Sequence, residues 1–211
     1  MTPFETSLYG ELSHFFKQHE FVLLPEKKQF RKATPSGFVN VILSCAHYGP
    51  TTLLDVNFGC RHEQIEQIAQ QFLPTLTDFR PDANTLLVSI GKYNQTTPPR
   101  YSIQTEHDLI DTCGQIEHFF AEIGFDLLHQ ATSLPMLDHI LNHTPSKPCV
   151  FVYNQTFRYY KGLTAAKLTH NNQFLTLTDL YRQQLSRQSQ NAHEALNFDR
   201  LVAYLNHYSP N

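Results

Sequence analysis

Residues 38–61 read FVNVILSCAHYGPTTLLDVNFGCR, and this stretch limits the possible folds more than any other. Val39, Val41, Leu43 and Cys45 alternate with Phe38, Asn40, Ile42 and Ser44. After Ala46-His47-Tyr48-Gly49-Pro50 a second run puts Leu54, Val56, Phe58 and Cys60 on one face and Asp55 and Asn57 on the other. A period of two in β-branched and aromatic residues, broken by Gly-Pro, predicts two neighbouring antiparallel strands. Each strand has one strongly apolar face that needs a cover, and the flanking helices are the expected cover.

Upstream, Phe4, Leu8, Leu12, Phe15 and Phe16 recur at helical spacing and predict an amphipathic helix over 2–19. Thr2, Pro3 and Glu5 supply its cap, its rigid first position and its acidic first turn. A short apolar segment, 21–24, is broken by Pro25-Glu26. Residues 27–33, KKQFRKA, then read as a strand with Lys28, Phe30 and Lys32 on one side, and Thr34-Pro35-Ser36-Gly37 turns into the central pair. Downstream, Ile65, Ile68, Ala69 and Phe72 mark a helix over 62–73. A strand over 85–90, a polar loop over 91–99 and an extended segment over 100–104 bring the sheet to about five strands.

From Thr105 the pattern turns helical. Thr105 and Asp108 have capping-box spacing, and the helix they open runs to about residue 123, with Gly124 as its stop. A second helical region over 125–142 restarts at Ser133-Leu134-Pro135. Residues 144–148, TPSKP, are linker-like. Residues 149–153, CVFVY, form a strand or a buried lead-in. Three further helices are marked by Phe157, Tyr160, Thr164 and Leu168, by Phe174, Leu177, Tyr181 and Leu185, and by Phe198, Leu201, Val202 and Leu205. The Ala165-Ala166 pair points to close helix–helix approach. The fold class is therefore α+β: a mainly antiparallel meander of about five strands covered by helices, with an all-helical C-terminal half. The expected division is a sheet region, 1–104, and a helical region, 105–211, packed on it as one globular unit.

One combination of pieces is familiar. A leading amphipathic helix followed by Phe21, the strand Lys28-Gln29-Phe30-Arg31-Lys32, the apolar strand 39–44, a strand ending in Phe58-Gly59 and the acidic, Ile-spaced helix 63–72 resemble an uncharacterised bacterial domain family of unknown function. The resemblance spans the first half of the chain. It implies this fold and a bacterial cytoplasmic setting, and no catalytic residues.

Charge and motif content narrow the function. The net charge of −3 argues against a general binder of nucleic acid or anionic membrane. No apolar run reaches about 18 residues, and MTPFETSLYGEL lacks the basic and apolar regions of a secretory signal, so the expected location is cytoplasmic. Cys45, Cys60, Cys113 and Cys149 form no C-x-x-C pair and read as small buried hydrophobes. Nucleotide-binding glycine motifs and the G-x-S-x-G elbow do not occur. Among twelve histidines, His139 and His143 share a helix face beside Asp138, but Ile140 stands where a zinc hydrolase of that spacing carries Glu, and no metal or cofactor is expected. Arg158, Tyr159, Tyr160 and Lys161 form the one aromatic–basic patch of the kind that holds single strands, too little to expect nucleic acid as a partner.

Two functional expectations follow. The first is a non-catalytic protein-binding module, adaptor- or immunity-like, whose partner surface runs along Lys28, Arg31 and Lys32, with Arg61 and Arg100. The competing reading of those lysines is edge protection of an exposed strand. The second is a small enzyme with His47, Asp55 and His62 gathered at one end of the hairpin. Neither reading sets the oligomeric state.

Overall fold

The computed structural model describes residues 2–188 and 192–209. Thr2 opens helix α1 (Pro3–Gln18) with a capping box: its hydroxyl accepts the Glu5 N–H at 3.2 Å, and the Glu5 carboxylate accepts the Thr2 N–H at 2.8 Å. Leu8, Leu12 and Phe16 form the buried stripe. The helix ends when Phe21 N–H reaches back to the Phe16 carbonyl and Glu20 N–H to that of Lys17, both at 3.0 Å. This is a Schellman stop, with Glu20 at φ 67° where glycine is favoured.

The sheet follows: β1 (Val22–Leu24), β2 (Gln29–Thr34), β3 (Gly37–Tyr48), β4 (Thr51–His62), β5 (Leu86–Ser89) and β6 (Tyr101–Ile103). Its order is β1-β2-β3-β4-β5, and β6 pairs the start of β4, Thr52 opposite Ile103. The β1–β2, β2–β3 and β4–β6 pairs are antiparallel. Chain order equals sheet order along the main path, so the sheet is the expected meander. The turn between the long strands is only Gly49-Pro50, shorter than the five-residue loop expected. Gly49 at φ 58° supplies the positive dihedral that a two-residue hairpin turn demands, so His47 and Tyr48 belong to β3. Val41, Leu43, Leu54, Val56, Phe58 and Cys60 are all buried. The opposite face also has covered positions: Asn40 is buried and donates to the Gln29 side chain at 2.7 Å.

The helices depart from the sequence reading in three places. Residues 91–99 are not all loop: Ser89 caps a short helix, α3 (Ile90–Tyr93), by accepting the Lys92 N–H. Gly124 does not stop its helix. After α2 (Glu63–Ala69), α4 (Glu106–Phe119) passes through a π turn (Phe120–Gly124) straight into α5 (Phe125–Gln130). A Cβ on Gly124 would stand 2.5 Å from the Phe120 ring, so glycine is there for ring packing. Residues 149–153 form turns and no strand. The Gln155 side chain ties them by accepting the Cys149 N–H and donating to the Cys149 and Val152 carbonyls.

The chain groups into two compact units that interleave in sequence: residues up to Cys60 with Leu87–Gln130, and Arg61–Leu86 with the chain from Ala131 onward. The boundary expected at 104/105 does not coincide with this division, because α4 packs on α1 and β6 and so groups with the sheet. The core of the first unit is aromatic. Phe16 stacks on Phe30 with ring centres 4.5 Å apart and meets Phe120 edge-on at 5.2 Å, and Phe58 meets Phe119 at 5.3 Å. The second unit is built around α7 (Gln155–Leu168), which contacts α2, α6 (Leu134–Asn142), α8 (Phe174–Gln188) and α9 (Ala192–His207). Ala165 and Ala166 are fully buried. A close approach lies one turn earlier, where a Cβ on Gly162 would stand 2.6 Å from the Asn142 side chain. No helix among the described residues is long and apolar enough to cross a membrane.

Candidate functional site

Of the cations expected to form a partner surface, Arg61 is buried, while Lys28, Lys32 and Arg100 each face a carboxylate of this chain. Lys28 is a turn residue at φ 51° rather than part of β2, and it bridges the buried Glu5 carboxylate at 2.7 Å. That bridge, together with the Thr2 N–H, holds Glu5 below the usual carboxylate range. Lys32 pairs with Glu20 at 2.7 Å. The Arg31 guanidinium lies 3.9 Å from the centre of the Phe38 ring. Arg61 is an interior residue of the second unit, its side chain 6% exposed, with bonds to Glu63 and to the carbonyls of Arg80 and Ala83. Its place at the end of a buried strand leaves it no surface to present. Arg158, Tyr159, Tyr160 and Lys161 are buried as well, so the aromatic–basic patch is core. Arg158 satisfies the carbonyl of Leu141 in the last turn of α6 and those of Thr144 and Lys147 beyond it.

The three residues of the enzymatic reading are not gathered at one end of the hairpin. His47 bonds Thr52 at 2.8 Å near the turn. His62 ends β4 ten residues later, about 33 Å along an extended strand. His62 is buried, its Nδ1 without a hydrogen-bond partner among the described residues, and burial depresses its imidazole pKa against the opposing pull of Glu63 and Glu66. Asp138 holds α6 to the residues after α7, accepting from Asn142, Thr169 and Asn171, while the His139 and His143 rings lie 4.5 Å apart. Among the described residues no group of three or more His, Cys, Asp or Glu is placed to hold a metal. The cysteines are free thiols, and burial pushes Cys45 up to about 11 and Cys113 up to about 12.

One expected residue, Asp55, comes together with another, Arg100. Asp55 is 23% exposed, and burial raises its carboxyl pKa against the pull of Arg100, whose Nε lies 3.7 Å away. Arg100 in turn lines a cleft of about 450 Å³ with Gly91, Tyr101, Gln115, His118 and Glu122. Sequence reasoning missed the far wall. Gln115, His118 and Glu122 recur at three and four residues on α4 and its π turn, a row legible only once the helix is known to run past Gly124.

A second concavity, of about 500 Å³, is a groove between α1 and α4. Phe4, Pro50, Ile103, Leu109 and the half-exposed Ile110 make its apolar surface. Glu11 stands on one bank and Glu106 on the other, neither paired with a cation among the described residues, and no lysine or arginine lines it. Gly10 lies on its α1 wall, and a Cβ there would meet nothing within 4 Å.

Compared with family models, curated proteins and solved structures, the chain finds no match in any of the three.

Proposed function

We propose that this chain is a non-catalytic, adaptor-like module that binds another protein, and that the partner lays a basic amphipathic helix into the groove between α1 and α4. The observation that carries the reading is Gly10. A glycine inside a helix is about 0.8–1 kcal/mol less favourable than alanine, and nothing in the chain's own packing requires one here: the space beyond it is open and its φ is not positive. A bare backbone facing an empty groove suits a partner that must come close. The apolar floor with one carboxylate on each bank selects the partner's character, because a helix docked in a groove contributes apolar anchors at three-to-four spacing and its flanks meet the banks. This surface replaces the basic strand, whose lysines bridge Glu5 and Glu20.

The experiment measures fluorescence anisotropy of a labelled helical peptide of lysine and leucine with the leucines on one stripe, titrated with the full chain. The expected result is saturable binding that Gly10→Leu, or Glu11→Lys with Glu106→Lys, weakens at least tenfold. Gly114→Leu should leave it unchanged, since Gly114 is also an open helix position but does not line the groove. Equal binding of a peptide with glutamate in place of lysine, or undiminished binding by Gly10→Leu, overturns the reading.

A further inference from the structure

We infer that the cleft beside Arg100 is a second, separate binding site, for a small molecule carrying a carboxylate or phosphate on a flat apolar body. Its volume, about 450 Å³, lies within the usual span of small-molecule pockets, about 300–1,000 Å³. Three features make it a built site.

The first is a fixed wall. The loop after α3 runs directly over Gly91, where a Cβ would fall inside the Pro99 carbonyl and 2.7 Å from the Pro99 Cα. Thr96 N–H donates to the Gly91 carbonyl at 3.0 Å and clamps the same loop from its other end. The clamp delivers Arg100 at the cleft mouth.

The second is an arginine with its donors available. Arg61 and Arg158 donate into several protein acceptors each. Arg100 makes no hydrogen bond among the described residues, and its side chain is 51% exposed. Asp55 faces its Nε edge at 3.7 Å, too long for a hydrogen bond but close enough to hold the guanidinium by charge. That leaves the terminal fork, the geometry that takes a carboxylate or phosphate through two parallel bonds.

The third is the opposite wall. Gln115, His118 and Glu122 present polar groups on α4 and its π turn, and Phe119, with Ile90, gives the apolar surface between them and the loop. Single π turns inside α-helices are frequent at functional sites. Here the turn contains Glu122, one of the lining residues.

The test uses amide ¹H–¹⁵N spectra of the full chain titrated with three probes of one shape: benzoate, phenyl phosphate and neutral benzamide. Benzoate or phenyl phosphate is expected to shift Gly91, Asn94 and Gln115 resonances saturably, and the tighter of the two identifies the anion. Arg100→Gln should abolish the shifts, and Arg100→Lys should weaken binding at least fivefold by removing the fork while keeping the charge. Arg100 is half exposed and its one charged partner, Asp55, stands at 3.7 Å, so both variants are expected to fold, and an unchanged melting temperature verifies it. If benzamide shifts the same resonances over the same concentrations, or Arg100→Gln binds benzoate as the parent does, or none of the three probes shifts those resonances, the inference fails. The α1–α4 groove is not involved, so either site can fail without the other.

Discussion

Lys161 and Glu66 form a buried ion pair inside the second unit, and halving it should be strongly destabilising. The Nζ lies 3.0 Å from Glu66 Oε1, with the two side chains 5% and 0% exposed. Glu66 Oε1 also accepts the Thr85 hydroxyl at 2.9 Å, its Oε2 accepts the Gln70 amide at 2.8 Å, and Lys161 also donates to the Asn84 carbonyl. At that separation and an effective dielectric of about 20, the attraction is about 5–6 kcal/mol. Taking two ions out of water costs several kcal/mol each, so the intact pair contributes little net stability. Lys161→Met removes the attraction and leaves the carboxylate's desolvation in place. The expected loss is about 3–5 kcal/mol, a urea midpoint about 1.5–2.5 M lower at a slope of about 2 kcal/mol/M and a melting point lower by about 6–20 °C.

The decisive measurement is the second variant. Glu66→Gln on the Lys161→Met background removes the stranded charge yet keeps an acceptor for the Thr85 hydroxyl. It also supplies an amide donor near Gln70 Oε1, which has no partner among the described residues. Urea melts should show the double variant regaining at least about 2 kcal/mol of the loss. If Lys161→Met costs under about 1 kcal/mol, or the second change regains nothing, the loss is one of packing and the electrostatic reasoning is wrong.

Other outcomes are equally specific. Gly91→Ala places a methyl against the Pro99 backbone, so a loss of about 3 kcal/mol or failure to fold is expected in urea melts. His170 ends α7 at φ 55°, and His170→Gly should gain about 0.5–1 kcal/mol by relieving the left-handed backbone, measured the same way. The depressed imidazole pKa of His62 makes the folded chain bind its proton later than the unfolded chain does. Stability should therefore fall as pH drops below about 6.5, the ordinary histidine value, and His62→Gln should flatten that limb of a pH series of melts.

The sheet was legible because its signal is local: a strand with one buried face writes that burial into every second residue, as 39–45 and 54–60 do. Capping boxes are local too, and Thr2 with Glu5 and Thr105 with Asp108 stand in the structure as the spacing implies. What failed was the meaning of charge. Lys28 and Lys32 read as a basic strand because their partners, Glu5 and Glu20, sit in or just after a different element. Arg158 and Lys161 read as parts of an aromatic–basic patch that a helix would bury only in part, whereas α7 buries both and satisfies them with carbonyls and one carboxylate. Asp55 and Arg100 were noticed separately, and forty-five positions of sequence hide that β6 returns to pair with the start of β4 and brings them together.

Glycine shows most clearly why the ends of elements resist reading. Of the eight glycines, none marks a helix stop. Three helices end in the same Schellman geometry with Glu20, Gln95 and His170 in the left-handed position, shown by the return bonds Phe21 to Phe16, Thr96 to Gly91 and Asn171 to Ala166. Reading Gly124 as a stop was therefore doubly misleading, since the real stops lack glycine and this glycine makes room for a ring. Glycine goes instead to places where a Cβ cannot fit: Gly91 under Pro99, Gly162 against Asn142 and Gly124 against Phe120. Gly10 and Gly114 are the two helix positions where a Cβ would meet nothing, and only Gly10 opens into a groove. Gly114 shows that an uncrowded glycine alone marks no surface, so what sets Gly10 apart is the groove it opens into. A partner backbone lying against α1 would use that opening.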